Sequence, residues 1–289
     1  MKRSSTHLLL LVTLLALTVG CTDSTETTQE KVSTQVDSYD PGTNWKLAWA
    51  DEFDRDSLDG RNWTYQVEPA GRFNDEWQRY TSSTQNAYID DECLVIKAIH
   101  ESEAHGMDQY TSARLHTANK HTWTYGKIAA RIKLPKGQGI WPAFWMLGAN
   151  INENGGDTPW PQCGEIDILE LYGSKDEAVV EANLHYADTT DSHAMMGAAS
   201  YRLEEGIFAD AFHIFELEWT ADQLTWFVDG KAFASAPLTA EDRSEFHQDF
   251  FILLNMAVGG TYAGRPDATT PFPQFMYVDW VRVYQEEKV

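Results

Sequence analysis

Gly164-Glu165-Ile166-Asp167-Ile168-Leu169-Glu170-Leu171-Tyr172-Gly173 is an apolar run between two glycines with three acids set into it. Its length, its β-branched residues and its glycine ends predict a strand. Unpaired charges buried in a strand are costly, so three carboxylates there call for a use. Side chains alternate faces along a strand, which puts Glu165 and Asp167 on one face. Strict alternation would place the third acid at 169, but that residue is Leu and the acid is Glu170. A β-bulge near Ile168-Leu169 absorbs the extra residue and returns Glu170 to its partners; bulges are common beside active sites.

Paired carboxylates are the equipment of glycoside hydrolysis. Strand steps of about 3.3 Å place the Cα atoms of the two glutamates roughly 13 Å apart. Side chains leaning inward then bring the carboxyl groups toward the roughly 5–5.5 Å of a retaining glycosidase. In that geometry Glu165 is the candidate nucleophile. Glu170 is the candidate general acid, its pKa raised by the neighbouring negative charge. Asp167, between them, hydrogen-bonds and orients the nucleophile. Taken alone, the stretch also reads as a solvated polar face on an edge strand or as a calcium site.

The remainder of the chain sets bounds. It has 289 residues, 43% of them apolar, enough for one large all-β domain. A formal net charge of −22 disfavours nucleic acid and anionic membrane surfaces, while neutral sugar polymers carry no such penalty. Eleven Trp offer faces that stack on sugars or fill a core. Lys2 and Arg3 precede an apolar stretch, Leu8 to Leu17, which is too short to be a typical membrane span. Leu17-Thr18-Val19-Gly20-Cys21 is similar to a bacterial lipoprotein cleavage box. Residues 1–20 are therefore expected to be a signal peptide and Cys21 a lipidated anchor, with an ordinary secretory signal as the alternative. Thr at position 22 favours the outer membrane of a Gram-negative cell. Residues 22–43, rich in Thr, Ser, Gln, Asp and Glu, predict a disordered tether, and 44–289 the catalytic domain. Export implies an oxidising compartment, yet Cys93 and Cys163 read equally well as a pair or as free buried thiols.

Short strand-like runs fill the folded part: Leu94–Ile99, Lys127–Leu134, Ala143–Leu147, Glu165–Leu171, Val179–Tyr186, His213–Trp219, Leu224–Val228, Phe250–Val258 and Tyr277–Tyr284. Asp229-Gly230 between two such runs is a hairpin signal. No segment past residue 21 shows a sustained helical period, so the expected class is an all-β sandwich or barrel.

Glu165-Ile-Asp-Ile-Leu-Glu170 resembles the active-site signature of glycoside hydrolase family 16 in its six-residue bulged form; the lichenase branch uses a form one residue shorter. Other segments match in order. Trp49-Ala-Asp-Glu-Phe53 resembles the family's opening strand, and Asn74-Asp-Glu-Trp-Gln-Arg-Tyr-Thr81 its sugar-binding loop. Tyr110-Thr-Ser-Ala-Arg114 and Gly139-Ile-Trp-Pro-Ala-Phe-Trp145 are similar to the laminarinase branch. Phe215–Trp219, Asn255–Gly260 and Val278–Gln285 complete a resemblance that covers about residues 45–286. It implies a β-jelly roll of two antiparallel sheets with a concave substrate cleft, and endo-hydrolysis of a β-1,3-glucan with retention. Glu165 would be the nucleophile, Asp167 the assisting acid and Glu170 the acid/base.

The same resemblance places Trp141 and Trp145 under sugar rings, Asn74 and Arg114 on sugar hydroxyls, and His185 near the reacting sugar. Core packing or an ordinary surface position is the alternative for each. No cofactor is expected for catalysis. A structural calcium is implied on the convex side, held by Asp279, Glu52 and a backbone carbonyl near Glu92, where the family often has Gly. The partner implied is a β-glucan polysaccharide, met by a monomer that touches membrane only through Cys21. Agarase- or carrageenase-type galactan hydrolysis, mixed-linkage glucan hydrolysis and non-catalytic glucan binding are the alternatives. Arg79 and Arg114 near the expected cleft keep the anionic galactans open.

Overall fold

The computed structural model describes residues 39–102 and 107–287. The expected signal peptide, Cys21 and residues 22–38 of the expected tether lie outside the described residues. Within that tether, Tyr39 packs its ring at 5.4 Å from Trp280 and 5.7 Å from Tyr284, and its hydroxyl donates to Glu216.

Two sheets make up the domain. The first runs β15 (Lys231–Pro237), β14 (Gln223–Val228), β13 (His213–Trp219), β8 (Gly126–Lys133), β17 (Gln274–Glu286), β5 (Cys93–His100), β6 (Tyr110–Ser112) and β3 (Gln78–Tyr80). Strand β1 (Trp45–Asp51) adds to β17 and β4 (Ala87–Asp90) to β5. The second runs β12 (His193–Arg202), β11 (Val179–Ala187), β10 (Glu165–Glu170), β9 (Ile140–Gly148), β16 (Phe250–Val258), β7 (Arg114–His116) and β2 (Thr64–Tyr65). Every pairing in this seven-stranded sheet is antiparallel. The all-β sandwich with jelly-roll architecture expected from the sequence is what the chain forms.

Alternation builds the core between the sheets. Along β9, Ile140, Phe144 and Met146 face inward with Ile252, Leu254 and Met256 of β16. The intervening residues of both strands, Trp141, Trp145, Asn255 and Ala257 among them, stand on the outer face. Pro142 is tolerated in β9 because its carbonyl accepts the Leu171 N–H at 3.2 Å, where the ladder to β10 ends and no donor is required. Trp141 and Trp145 therefore share a face despite the proline. Several of the tryptophans, Trp63, Trp219 and Trp280, are core side chains at most 2% exposed, so the Trp count was mostly a packing signal.

Asp229-Gly230 closes the β14–β15 hairpin with φ of 48° and 73°, the left-handed pair that a two-residue primed turn requires. Asp91-Glu92 closes β4–β5 in the same way, with φ of 48° and 58°. Glu92 thus occupies a backbone position where glycine is the unstrained choice. Cys93 and Cys163 are both free and buried, Cys93 in the ten-stranded sheet and Cys163 on the outer face of the other.

Candidate active site

The bulge lies where the acid spacing requires it. Asp167 pairs with Trp145 of β9 and Asn183 of β11, and Glu170 pairs with Ala143 and Glu181. The acid strand advances three residues while each neighbour advances two. The extra residue is hidden by turning both Ile168 and Leu169 into the inter-sheet core, where they are 2% and 0% exposed. Glu165, Asp167 and Glu170 are left together on the outer face, a central strand and not an edge.

Glu170 is held from three sides. Trp141 Nε1 donates to Oε1 at 2.9 Å, and the Tyr172 hydroxyl and Asn183 Nδ2 donate to Oε2 at 2.7 Å each. Tyr172 and Asn183 reach it because each stands two residues from a neighbour on the same face, Glu170 itself and His185. Tyr172 and Trp141 also pack with Tyr262, an exposed ring on the short helix α1 (Gly260–Ala263).

Glu165 has a sparser setting. Trp160 Nε1 donates to Oε2 at 3.0 Å, and Oε1 lies 3.8 Å from His185 Nε2. The same imidazole nitrogen lies 3.3 Å from Asp167 Oδ2, close enough for an ion pair but not aligned as a hydrogen bond, so Oδ2 has no hydrogen-bond partner among the described residues. Asp167 is nevertheless fixed through its backbone, whose carbonyl accepts from Trp226 Nε1 at 2.9 Å. On its other side His185 Nδ1 meets His193 Nε2 at 2.9 Å, with the two rings stacked at 5.2 Å and Trp160 4.6 Å from His193.

Burial raises the pKa of all three acids. Glu165 is pushed to about 8, first by desolvation and then by the charge of Asp167, with His185 pulling the other way. Asp167 is held well above the usual carboxylate range by burial first and then by the nearby Glu170. Glu170 is also raised by burial, but its donors from Tyr172, Trp141 and Asn183 all favour the charged form. A neighbouring negative charge was expected to raise it; burial is what raises it.

The other expected sugar contacts form one connected group. Arg114 stacks between Phe73 at 4.5 Å and Trp145 at 4.6 Å, and its Nε donates to Gln66 Oε1 at 2.7 Å. Trp145 Nε1 donates to Asn255 Oδ1 at 2.7 Å, Asn255 Nδ2 to the Tyr80 hydroxyl at 3.1 Å, and that hydroxyl to Glu76 Oε2 at 3.1 Å. The exposed Asn74 stands beside Glu76 at the end of this chain and favours its charged form. Its loop is anchored to the end of β16 by the Trp77 N–H to Val258 carbonyl bond at 2.7 Å. Arg79, in contrast, is committed to Glu101 at 2.6 Å and Asp108 at 2.9 Å.

The side chains expected to bind calcium are each engaged by an arginine. Glu52 makes a bidentate pair with Arg282, both contacts 2.7 Å, and Asp279 pairs with Arg131 at 2.7 Å. Each carboxylate already faces a guanidinium, which a cation would have to displace, and the two sit on different arginines. Among the described residues the cluster of potential metal ligands is instead Glu165, Asp167 and His185.

Trp160, His193, Tyr172, Asn183, Asn255 and Gln66 were not foreseen. Tyr172 and Asn183 were within reach of strand alternation. Trp160 and His193 come from a loop and an edge strand, and nothing in their local sequence marks them.

A two-sheet β domain with three carboxylates on the outer face of one sheet, flanked by tryptophans and an arginine, is the architecture of a polysaccharide-cleaving glycoside hydrolase. A model of the Glycosyl hydrolases family 16 matches residues 73–282, and the chain belongs to that family. It is similar to the glucan endo-1,3-beta-glucosidase A1 of Niallia circulans, 34% identical over 90% of this chain but only 40% of that protein. It also resembles a beta-glucanase of Rhodothermus marinus, 37% identical over 86% of this chain and 88% of the relative. Among solved structures, the catalytic domain of an endo-1,3-beta-glucanase (laminarinase) from Thermotoga petrophila superposes with a TM-score of 0.73. The two are 42% identical, covering 84% of this chain and 99% of that one.

Proposed function

We propose that this chain is an endo-acting hydrolase of β-1,3-linked glucan of the laminarin type, working with retention of configuration. The observation that carries the proposal is the bulge at Ile168-Leu169, which brings Glu165, Asp167 and Glu170 to one face of β10. The names of the relatives support the substrate. In the first step Glu165 attacks the anomeric carbon while Glu170 gives its proton to the departing glycosidic oxygen. A covalent glycosyl-enzyme forms. Its formation removes the charge on Glu165, so Glu170 then takes a proton from the attacking water and the bond to Glu165 breaks. Three donors fix the Glu170 carboxyl, and closure of the cleft by sugar, which expels water, favours its protonated form. Asp167, held by burial well above the usual carboxylate range, lies between the two glutamates as the assisting acid. Trp141, Trp145 and Tyr262 offer ring faces to the glucan, and Arg114 and Asn74 offer donors to its hydroxyls.

A neutral glucan suits this face better than a sulfated galactan, because Arg79 is neutralised by two acids and Arg114 is stacked and partnered. The leader and Cys21 favour an exported monomer held to a bacterial membrane, the outer one in a Gram-negative cell, through lipid. Reducing-sugar release from laminarin, mixed-linkage β-glucan, agarose and carrageenan tests the substrate. Release from agarose and none from laminarin would overturn it. Proton NMR of the first product tests retention, the expected first anomer being β.

A further inference from the structure

Glu165, Asp167 and His185 share one arrangement that glycoside cleavage does not require. Glu165 Oε2 is occupied by Trp160, which leaves Oε1 turned toward His185. Asp167 Oδ2 is buried with no hydrogen-bond partner among the described residues, on a side chain only 3% exposed. His185 directs Nε2 at both carboxylates, while its Nδ1 is held by His193. One ligand atom from each of the three residues lies within 4.8 Å of the others. We propose that this end of the site is a capture site for a divalent transition-metal ion of the zinc type, bound by Glu165 Oε1, Asp167 Oδ2 and His185 Nε2 in place of the sugar.

The distances favour such an ion. Two ligands 2.0–2.2 Å from zinc at a tetrahedral angle stand roughly 3.4 Å apart. The separations from His185 Nε2 are 3.3 Å to Asp167 and 3.8 Å to Glu165. Rotation of Glu165, the most exposed of the three side chains at 18%, closes the rest. An imidazole nitrogen and only three protein donors suit zinc, copper or nickel and not calcium, which takes six to eight oxygens. An orienting partner on the far nitrogen is a recurrent feature of metal-bound histidine, and His193 supplies it here. The bound cation would lie against the proposed nucleophile and exclude the sugar, so the ion would act as a reversible inhibitor.

Metal binding by the intact protein is measured first, by calorimetry with zinc chloride and by the visible spectrum after addition of cobalt(II). One ion per chain and the intense bands of four-coordinate cobalt are expected. Asp167→Asn and His185→Gln should each weaken zinc binding at least ~100-fold, and His193→Ala ~10–100-fold. Cys163→Ser, which alters the nearby buried thiol, should leave it unchanged. Binding that survives both Asp167→Asn and His185→Gln, or that is lost in Cys163→Ser, overturns the proposal. If a ligand variant fails to fold by circular dichroism, Glu165→Gln provides the same comparison. The inhibitory role rests on the glucanase proposal and is tested separately. On laminarin, zinc should raise the apparent KM at constant kcat and a chelator should reverse it. A fall in kcat at constant KM overturns the competition. A chain that binds zinc but hydrolyses no glucan would refute the proposed activity and leave the metal site standing.

Discussion

Glu165 and Glu170 occupy the two ends of one strand and differ in what surrounds them. Glu165 has one donor, Trp160, and faces an imidazole. Glu170 has three donors, on both of its oxygens. Burial is the leading cause of the raised pKa at both ends, so desolvation does not separate their roles. Hydrogen bonding does. The Glu170 end fixes the direction of a carboxyl, and the Glu165 end leaves an oxygen free to react. Unlike environments for like carboxylates are the means by which one strand supplies both a nucleophile and an acid.

The largest test of this difference is on rate. Glu165→Gln and Glu170→Gln should each lower kcat/KM on laminarin by on the order of 10³-fold or more. On an aryl glucoside oligomer with a good leaving group, Glu170→Gln should recover most of that loss and Glu165→Gln none, because protonation of the leaving oxygen is then unnecessary. Equal recovery in the two variants would break the comparison.

The next effect is on stability. With a pKa of about 8 in the folded protein against an ordinary 4.5, Glu165 holds a proton between those values that the unfolded chain has released. Stability therefore falls as pH rises from about 4.5 to about 8. Glu165→Gln should remove its own share of that fall, leaving those of Asp167 and Glu170, and exceed the parent by a few kcal/mol at pH 8, measured by urea unfolding across the range. Glu170→Gln should instead cost about 1–3 kcal/mol, since its amide nitrogen meets donors where an oxygen accepted them. A parent whose stability rises over this window would refute the assignment.

Removing single donors gives smaller effects. Trp160→Phe takes away the one donor to Glu165 among the described residues and should move the acid limb of kcat/KM to higher pH, with roughly a tenfold loss near neutrality. Tyr172→Phe removes one donor of three and should cost a few-fold. The reverse order would mean that the Glu165 end is not the sparser one. The smallest change is a reference: Glu92→Gly, at φ 58° in the distant β4–β5 turn, should add about 1 kcal/mol of stability at every pH. It separates backbone strain from carboxylate burial.

Alternation along strands is a local property, so much of the arrangement was legible in residue order. Strands β13 and β16 have the bounds expected from the sequence, and the acid triplet with its bulge follows from spacing alone. The hairpin at Asp229-Gly230 is equally local. The short strands β2, β3, β6 and β7 were not anticipated, because two or three residues carry no period. Edge strand β12 was missed for another reason: its run of Ala, Met and Ser has no alternating apolar pattern.

The sequence by itself determined that three carboxylates share one face of a strand, because side-chain direction depends only on residue count and one bulge. Only the tertiary structure decided how those carboxylates differ. The donors on Glu170 come from β9, β11 and just past the end of β10, and the partners of Glu165 come from a loop and β11. The tertiary structure also paired Glu52 and Asp279 with arginines, where the resemblance had implied calcium. Charge, burial and hydrogen bonding are set by whichever side chains arrive through space, and no spacing along the chain records that.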